Sequence, residues 1–361
     1  MSGFLGMFTY GGAAAVPSEY IAYSTSIIGR RVSAYPWSDS TGFGTIYSTT
    51  ASINTLTNEA SRLSFTKDNS LFSFSNTTSP YVHVWPWSSS GFGTKYANPT
   101  SALSPTGAGT AGHTWTPATD AFLTINIASP NSAPQAWVWS GGFGTKYSNG
   151  ANVAGFGAGI SINAAGTQVV VSHAGSPYIS MYPWSSGFGT KYSNPATLPT
   201  GAPTSGTGPP NGVNVGFNPV SNDVAIGHSV SPYITTYPVT GAGFGTKYAD
   251  PSSLPVGTTD SLKFASTGTL LGAGSAASPF ITVWNWSSGF GTKYANPSTL
   301  PTTATTSMDW SSTADSIVTA GNATTPYTSA YPWSSGFGTK YSDPGTLPNL
   351  ALAVSFSNQS R

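Results

Sequence analysis

The tetrapeptide Gly-Phe-Gly-Thr begins at Gly42, Gly91, Gly142, Gly187, Gly243, Gly289 and Gly336, with successive spacings of 49, 51, 45, 56, 46 and 47 residues. A unit repeated at such a period buries its apolar surface by stacking on its neighbours, so the period constrains the architecture before any single residue is interpreted. It lies near the roughly 40–50 residues of a four-stranded propeller blade, and well above leucine-rich or ankyrin repeats.

Each repeat divides into four runs with period-2 patterning separated by turn residues, as antiparallel strands require. In the fifth repeat the runs are VNVGF (213–217), DVAIGHS (223–229), YITTYPV (233–239) and GTKYAD (245–250), read here as strands a to d. Helical periodicity is absent. Strand a alternates large apolar with smaller residues, as in Leu63/Phe65, Ile160/Ile162, Val215/Phe217, Leu262/Phe264 and Met308/Trp310. The first repeat starts at strand b, and the chain ends on an orphan strand a, LAVSF (352–356).

The expected fold is therefore all-β: a seven-bladed propeller of four-stranded antiparallel blades, closed by the C-terminal strand completing blade 1, which removes open sheet ends. The expected boundaries are an apolar arm over 1–17 and a propeller over 18–361. Its blades cover 18–50 plus 351–358, then 61–98, 112–149, 158–195, 213–251, 260–297 and 305–344.

Composition narrows the function classes. The chain is 38% hydrophobic and 13% aromatic, enough for a large core, but only 6% charged, against roughly 25% in an ordinary soluble protein. Ser, Thr, Asn, Gln and backbone groups must wet the surface. With a net charge of +1 and no run of like charges, counterion release offers little drive for nucleic-acid binding. Cysteine is absent, which excludes disulfides and thiolate chemistry. No stretch approaches the roughly 18 apolar residues of a membrane helix, and the N-terminus lacks the basic residues of a secretion signal.

With seven four-stranded repeats, an aromatic near the end of strand c and closure by the far terminus, the chain resembles the WD40-type β-propeller family. The Gly-His signature is lacking, and Trp-Asp is replaced by Pro-Trp-Ser or a variant, so the family's structural hydrogen-bond network is not carried over. The wording of the repeat, as in YPWSSGFGTKYSNPATLP (182–199), is similar to propeller proteins of tailed bacteriophages and environmental viruses. That likeness implies a virion component, assembled in the host cytoplasm.

The repeated residues read first as architecture. The Trp series (Trp37, Trp87, Trp139, Trp184, Trp286 and Trp333) suits packing between blades. Were Trp87, Trp184 and Trp333 open to solvent, they would instead offer platforms for a glycan. In Gly-Phe-Gly the glycines suit a bend and the Phe a plug beneath it. Lysine follows in six copies, on the outermost strand, where it guards against edge-to-edge pairing. Asn76, Asn126, His173, His228 and Asn322 recur just before the b–c corner, and are candidates to line a shared binding surface. No third His or carboxylate accompanies the two histidines, so neither metal nor another cofactor is expected. Lys263 and Asp309 hold a strand-a register that is otherwise Ser, Thr or Gly, and are expected to meet at the central channel.

No nucleophile elbow or paired-carboxylate constellation emerges, so the sequence reading expects no enzyme. The expected role is a structural or interaction protein of a phage virion, either a head decoration or a tail accessory. It would dock through a propeller face or through the arm residues Phe4, Leu5, Met7, Phe8 and Tyr10. The alternative is a lectin-like adhesin recognising a host cell-surface glycan.

Overall fold

Alternating apolar residues force each repeat into a sheet with two buried faces, and seven such sheets stand radially around a channel. The computed structural model describes residues 19–25, 31–49, 53, 60–76, 78–101, 109–128, 132–203 and 214–357. The arm residues Phe4, Leu5, Met7, Phe8 and Tyr10 lie outside them, as do residues 204–213 of the long connection after blade 4.

The fold is an all-β ring of seven antiparallel blades, each of three or four strands. The innermost strands, a, are Ala351–Phe356 in blade 1, then Ala60–Phe65, Thr110–Trp115, Gly157–Ile162, Val215–Phe217, Thr259–Phe264 and Ser307–Trp310. Blade 1 combines both ends of the described chain. Its strand a, Ala351–Phe356, pairs antiparallel with Glu19–Thr25, setting Ile21 opposite Phe356 and Tyr23 opposite Val354.

The Gly-Phe-Gly-Thr segment zips the outer strand onto strand c. In all seven blades the N–H of the Tyr that ends the motif (Tyr47, Tyr96, Tyr147, Tyr192, Tyr248, Tyr294 and Tyr341) donates to a strand-c carbonyl at 2.8–3.0 Å. The first glycine turns the corner at positive φ, +80° at Gly42 and +95° at Gly91, a region most residues avoid. In blades 1, 2 and 5 a side chain there would also press on the tyrosine of the preceding blade. A Cβ on Gly42 would lie 3.2 Å from the Tyr341 ring, and one on Gly91 3.1 Å from Tyr47.

Each motif Trp is boxed by rings from two blades. It meets its own blade's Phe at centroid distances of 4.8–5.2 Å, as in Trp37–Phe43 and Trp87–Phe92. It also meets, edge to face, the motif Tyr of the preceding blade. These pairs are Tyr47–Trp87, Tyr96–Trp139, Tyr147–Trp184, Tyr248–Trp286, Tyr294–Trp333 and Tyr341–Trp37. Their centroids are 4.9–5.5 Å apart and their planes 75–89° inclined. The last pair joins blade 7 to blade 1, so the ring closes on the joint used elsewhere. Blade 5 carries Val239 in place of Trp, and Tyr192 packs against the apolar cluster that contains it.

A second recurring bond ties each connection to the next blade. Two residues before the Trp, or before Val239 in blade 5, Tyr35, Tyr182, Tyr237 and Tyr331 donate their hydroxyls to the backbone carbonyls of Thr346, Ala151, Thr197 and Thr299 at 2.6–2.8 Å. The indole of Trp284 reaches Ser253 in the same way at 3.0 Å. Three of these carbonyls sit at the third residue of a Pro-x-Thr-Leu-Pro run, which gives that run its role as a bed for the hydroxyl.

Truncating a buried aromatic to alanine costs about 3–5 kcal/mol. Trp37→Ala and Trp184→Ala are therefore expected to destabilise the ring alike in urea unfolding. A cost for Trp37→Ala far below that for Trp184→Ala would mean that strand pairing alone closes the ring.

Candidate functional site

The strand-a side chains converge on a central cavity of about 90 Å3, large enough to hold several waters. Charged and polar groups from four blades line it: Arg62, His113, Lys263 and Asp309. They are far apart in sequence and adjacent only because the ring brings every innermost strand to one axis.

Arg62 lies across blades 3 and 4. Its Nε donates to the Ala111 carbonyl at 2.9 Å and its Nη2 to the Ala158 carbonyl at 3.1 Å. It stands in the register of Gly112 and Gly159 in the two blades it crosses. A Cβ at Gly112 would sit 3.8 Å from the Arg62 Nε and 3.6 Å from the Gly159 backbone, at ordinary contact distance, so the guanidinium packs directly over this glycine. Burial pushes its pKa down to about 9, which leaves it charged at neutral pH.

Across the cavity, Lys263 Nζ stands 3.4 Å from Asp309 Oδ1, as the shared register predicts. Asp309 also accepts two backbone N–H groups, from Trp310 at 3.0 Å and from Phe356 of blade 1 at 2.9 Å. One carboxylate thus links blades 6, 7 and 1. His113 meets Ser73 Oγ through Nε2 at 2.9 Å and Ser75 Oγ through Nδ1 at 3.1 Å.

The residues singled out before the b–c corner sit elsewhere. Asn76, Asn126, His173 and His228 are buried at or just beyond the ends of strands b, whereas Asn322 is exposed on a corner of blade 7. The Asn76 amide donates to His83 Nε2 at 3.2 Å. His173 donates from Nδ1 to the Ala154 carbonyl at 3.1 Å and meets Ser180 Oγ through Nε2 at 3.0 Å. His228 meets Thr235 Oγ1 at 3.0 Å. Burial pushes both histidines down to about 4, so they are neutral supports beneath the corners. Trp87, Trp184 and Trp333 are 5%, 7% and 6% exposed. Their faces lie against neighbouring rings, and a sugar finds no platform on them. Among the described residues no group of three His, Asp or Glu converges as a metal site, and no helix is long and apolar enough to cross a membrane.

Arg62 was missed in the sequence because it belongs to no repeated feature. Its signal was available: it is the one charged residue at a strand-a position otherwise held by Gly112, Gly159, Asn214, Ser261, Ser307 and Ala353.

No family model and no curated protein matches the chain. Solved structures do resemble it. A protein of unknown function from Desulfotomaculum acetoxidans aligns over 94% of this chain and 99% of its own, at 11% identity and a TM-score of 0.63. A protein of Bacteroides uniformis described as a candidate 6-phosphogluconolactonase covers 94% and 99%, at 11% identity and a TM-score of 0.65. A Bacteroides fragilis protein with the same description covers 95% and 99%, at 12% identity and a TM-score of 0.64.

At such identity the likeness concerns the fold, and it corrects one expectation. The lack of a familiar constellation suggested that the chain is no enzyme, yet this ring also carries proteins described as candidate hydrolases. The physical reason is that a propeller gathers its polar groups from distant strands, as the central cavity does here, so no local motif announces a site.

Below the cavity, Glu19 opens strand b of blade 1 and accepts the Ser312 N–H at 2.7 Å across the closing seam. Burial, with the nearby Asp39 and Asp309 carboxylates, pushes its pKa from 4.5 up to about 7. A raised folded-state value means the proton is held more tightly in the ring than in the unfolded chain. The stability this contributes is full below about pH 4.5 and lost as pH rises through about 7, by up to about 3 kcal/mol. Urea midpoints measured across that window are expected to fall with rising pH, and Glu19→Gln to flatten the fall. An unchanged slope in the variant would assign it to other groups.

Proposed function

We propose that the chain is an assembly protein of a virus particle, a WD40-like propeller of the kind encoded by tailed bacteriophages, docking on a neighbouring particle protein as a head decoration or tail accessory. The observation that carries this reading is where apolar surface reaches solvent. Among the described residues, the exposed large hydrophobics are Val220 (71%), Val230 (49%), Leu254 (38%) and Val256 (48%), all in blade 5 or the connection leaving it.

Val230, Leu254 and Val256 belong to the face formed by b–c corners and d–a connections, which bond to each other through pairs such as Ser229 N–H to the Ala202 carbonyl and Ala276 N–H to the Thr258 carbonyl. Apolar exposure gathered in one sector of a ring marks an interaction surface better than scattered single residues would. The wording of the repeat adds the virion context. The double variant Val230→Asp, Val256→Asp is expected to fold normally and to lower incorporation into purified particles by about tenfold or more. Undiminished incorporation would count against this face.

A second reading starts from the cavity. Arg62, His113, Lys263 and Asp309 meet there, and two solved neighbours are described as candidate 6-phosphogluconolactonases. On this reading the Arg62 and Lys263 cations hold a phosphate while the sugar ring lies at the cavity mouth. The purified chain is then expected to hydrolyse 6-phosphogluconolactone above the spontaneous rate, and Lys263→Met to raise KM. A rate equal to the spontaneous one removes this reading.

A further inference from the structure

Six seams of the ring are filled by an indole, and the seam between blades 4 and 5 is not. Val239 stands where the other blades place tryptophan, and Tyr192 packs against the apolar cluster that contains Val239. On the face of the a–b and c–d corners this seam opens into a cleft of about 490 Å3, within the roughly 300–1,000 Å3 of small-molecule sites. Asn163, Thr167, Gln168, Asn218, Asn222 and Tyr192 line it, and no charged side chain does.

The amides form an ordered network. Asn163 Nδ2 donates to Asn222 Oδ1 at 3.0 Å, Asn222 Nδ2 to Gln168 Oε1 at 2.9 Å, and Gln168 Nε2 to the Thr240 carbonyl at 2.7 Å. Each amide nitrogen carries two hydrogens and each amide oxygen two lone pairs. Asn222 and Gln168 therefore each retain one N–H, and Asn222 Oδ1 one lone pair, for an occupant.

The next seam is filled differently. There Asp223 holds the register of Gln168, and its carboxylate receives the Trp286 indole N–H and the Tyr248 hydroxyl, both at 3.0 Å. Between blades 4 and 5 the indole is gone, a neutral amide stands for the acid, and an aromatic ring borders the space.

We propose that this cleft binds a neutral saccharide, with sugar hydroxyls pairing to Gln168 and Asn222 and the apolar face of a pyranose ring against Tyr192. A charged ligand would meet no counter-charge here, whereas spare amide donors and acceptors beside an aromatic ring suit a polyhydroxylated ring. One weak site per chain gains strength when many copies share a surface.

The test is a methyl-NMR titration of the full chain with N-acetylglucosamine, galactose, glucose and mannose in turn. At least one sugar is expected to shift the Val220 methyl signals, since Val220 lines the cleft. Gln168→Leu, which removes the amide at the centre of the network, should abolish binding. Asn222→Gly removes the amide at a position with φ +64° that glycine tolerates, and should weaken binding about tenfold, the loss of one or two hydrogen bonds. If no sugar moves these signals, or if both variants bind as tightly as the unaltered chain, the proposal is wrong. Particle incorporation is a separate readout, so the failure of this site and the failure of the assembly reading are distinguishable.

Discussion

The ring rests on one contact, the edge of one blade's motif tyrosine against the next blade's indole. An edge-to-face aromatic pair contributes about 0.5–1.5 kcal/mol beyond the area it buries, so six of them supply about 3–9 kcal/mol. That is comparable with the whole net stability of an ordinary domain, about 5–15 kcal/mol. A chain with no cysteine and few charges has few other ways to fasten one sheet to the next. Several parts of the Pro-Trp-Ser-Ser-Gly-Phe-Gly-Thr-Lys-Tyr unit serve this contact. Its Phe backs the Trp, its first glycine turns the chain close to the preceding Tyr, and its Tyr N–H pins the outer strand.

Because the repeats are consumed in building the ring, chemistry falls to the positions where a repeat departs from the rest. Arg62 replaces a small residue and spans two glycine-bearing strands. Lys263 and Asp309 replace Ser, Thr or Gly and bridge three blades. Gln168, Asn218 and Asn222 bring polar side chains to the cleft between blades 4 and 5, where Val239 also replaces tryptophan. Each substitution touches a neighbouring blade, so its effect is set by a pair of repeats and not by one.

Much of the fold was legible because strand alternation and a period averaging 49 residues recur many times. The Val354/Phe356 pair at the far end could be matched to the missing strand a of blade 1 by simple register. The Lys263–Asp309 meeting was legible for the same reason. What could not be read was depth. Asn76, Asn126, His173 and His228 carry the polarity of surface residues, yet the connections from preceding blades cover them, and a one-dimensional register does not reveal what lies overhead. The cleft also stayed hidden, since its lining comes from the a–b corners of two blades, around Gln168 and Asn222, which meet only across a seam.

Native-state hydrogen exchange, resolved blade by blade, tests most directly the claim that the Tyr–Trp joint governs the ring. The seam between blades 4 and 5 lacks the indole, so the amides of strands Val224–Gly227 and Ile234–Tyr237 in blade 5 should open at a lower free energy than those of any other blade. Blade 1, though assembled from both ends of the described chain, should be protected like its neighbours. Opening of blade 1 first, or equal opening throughout the ring, would contradict the account.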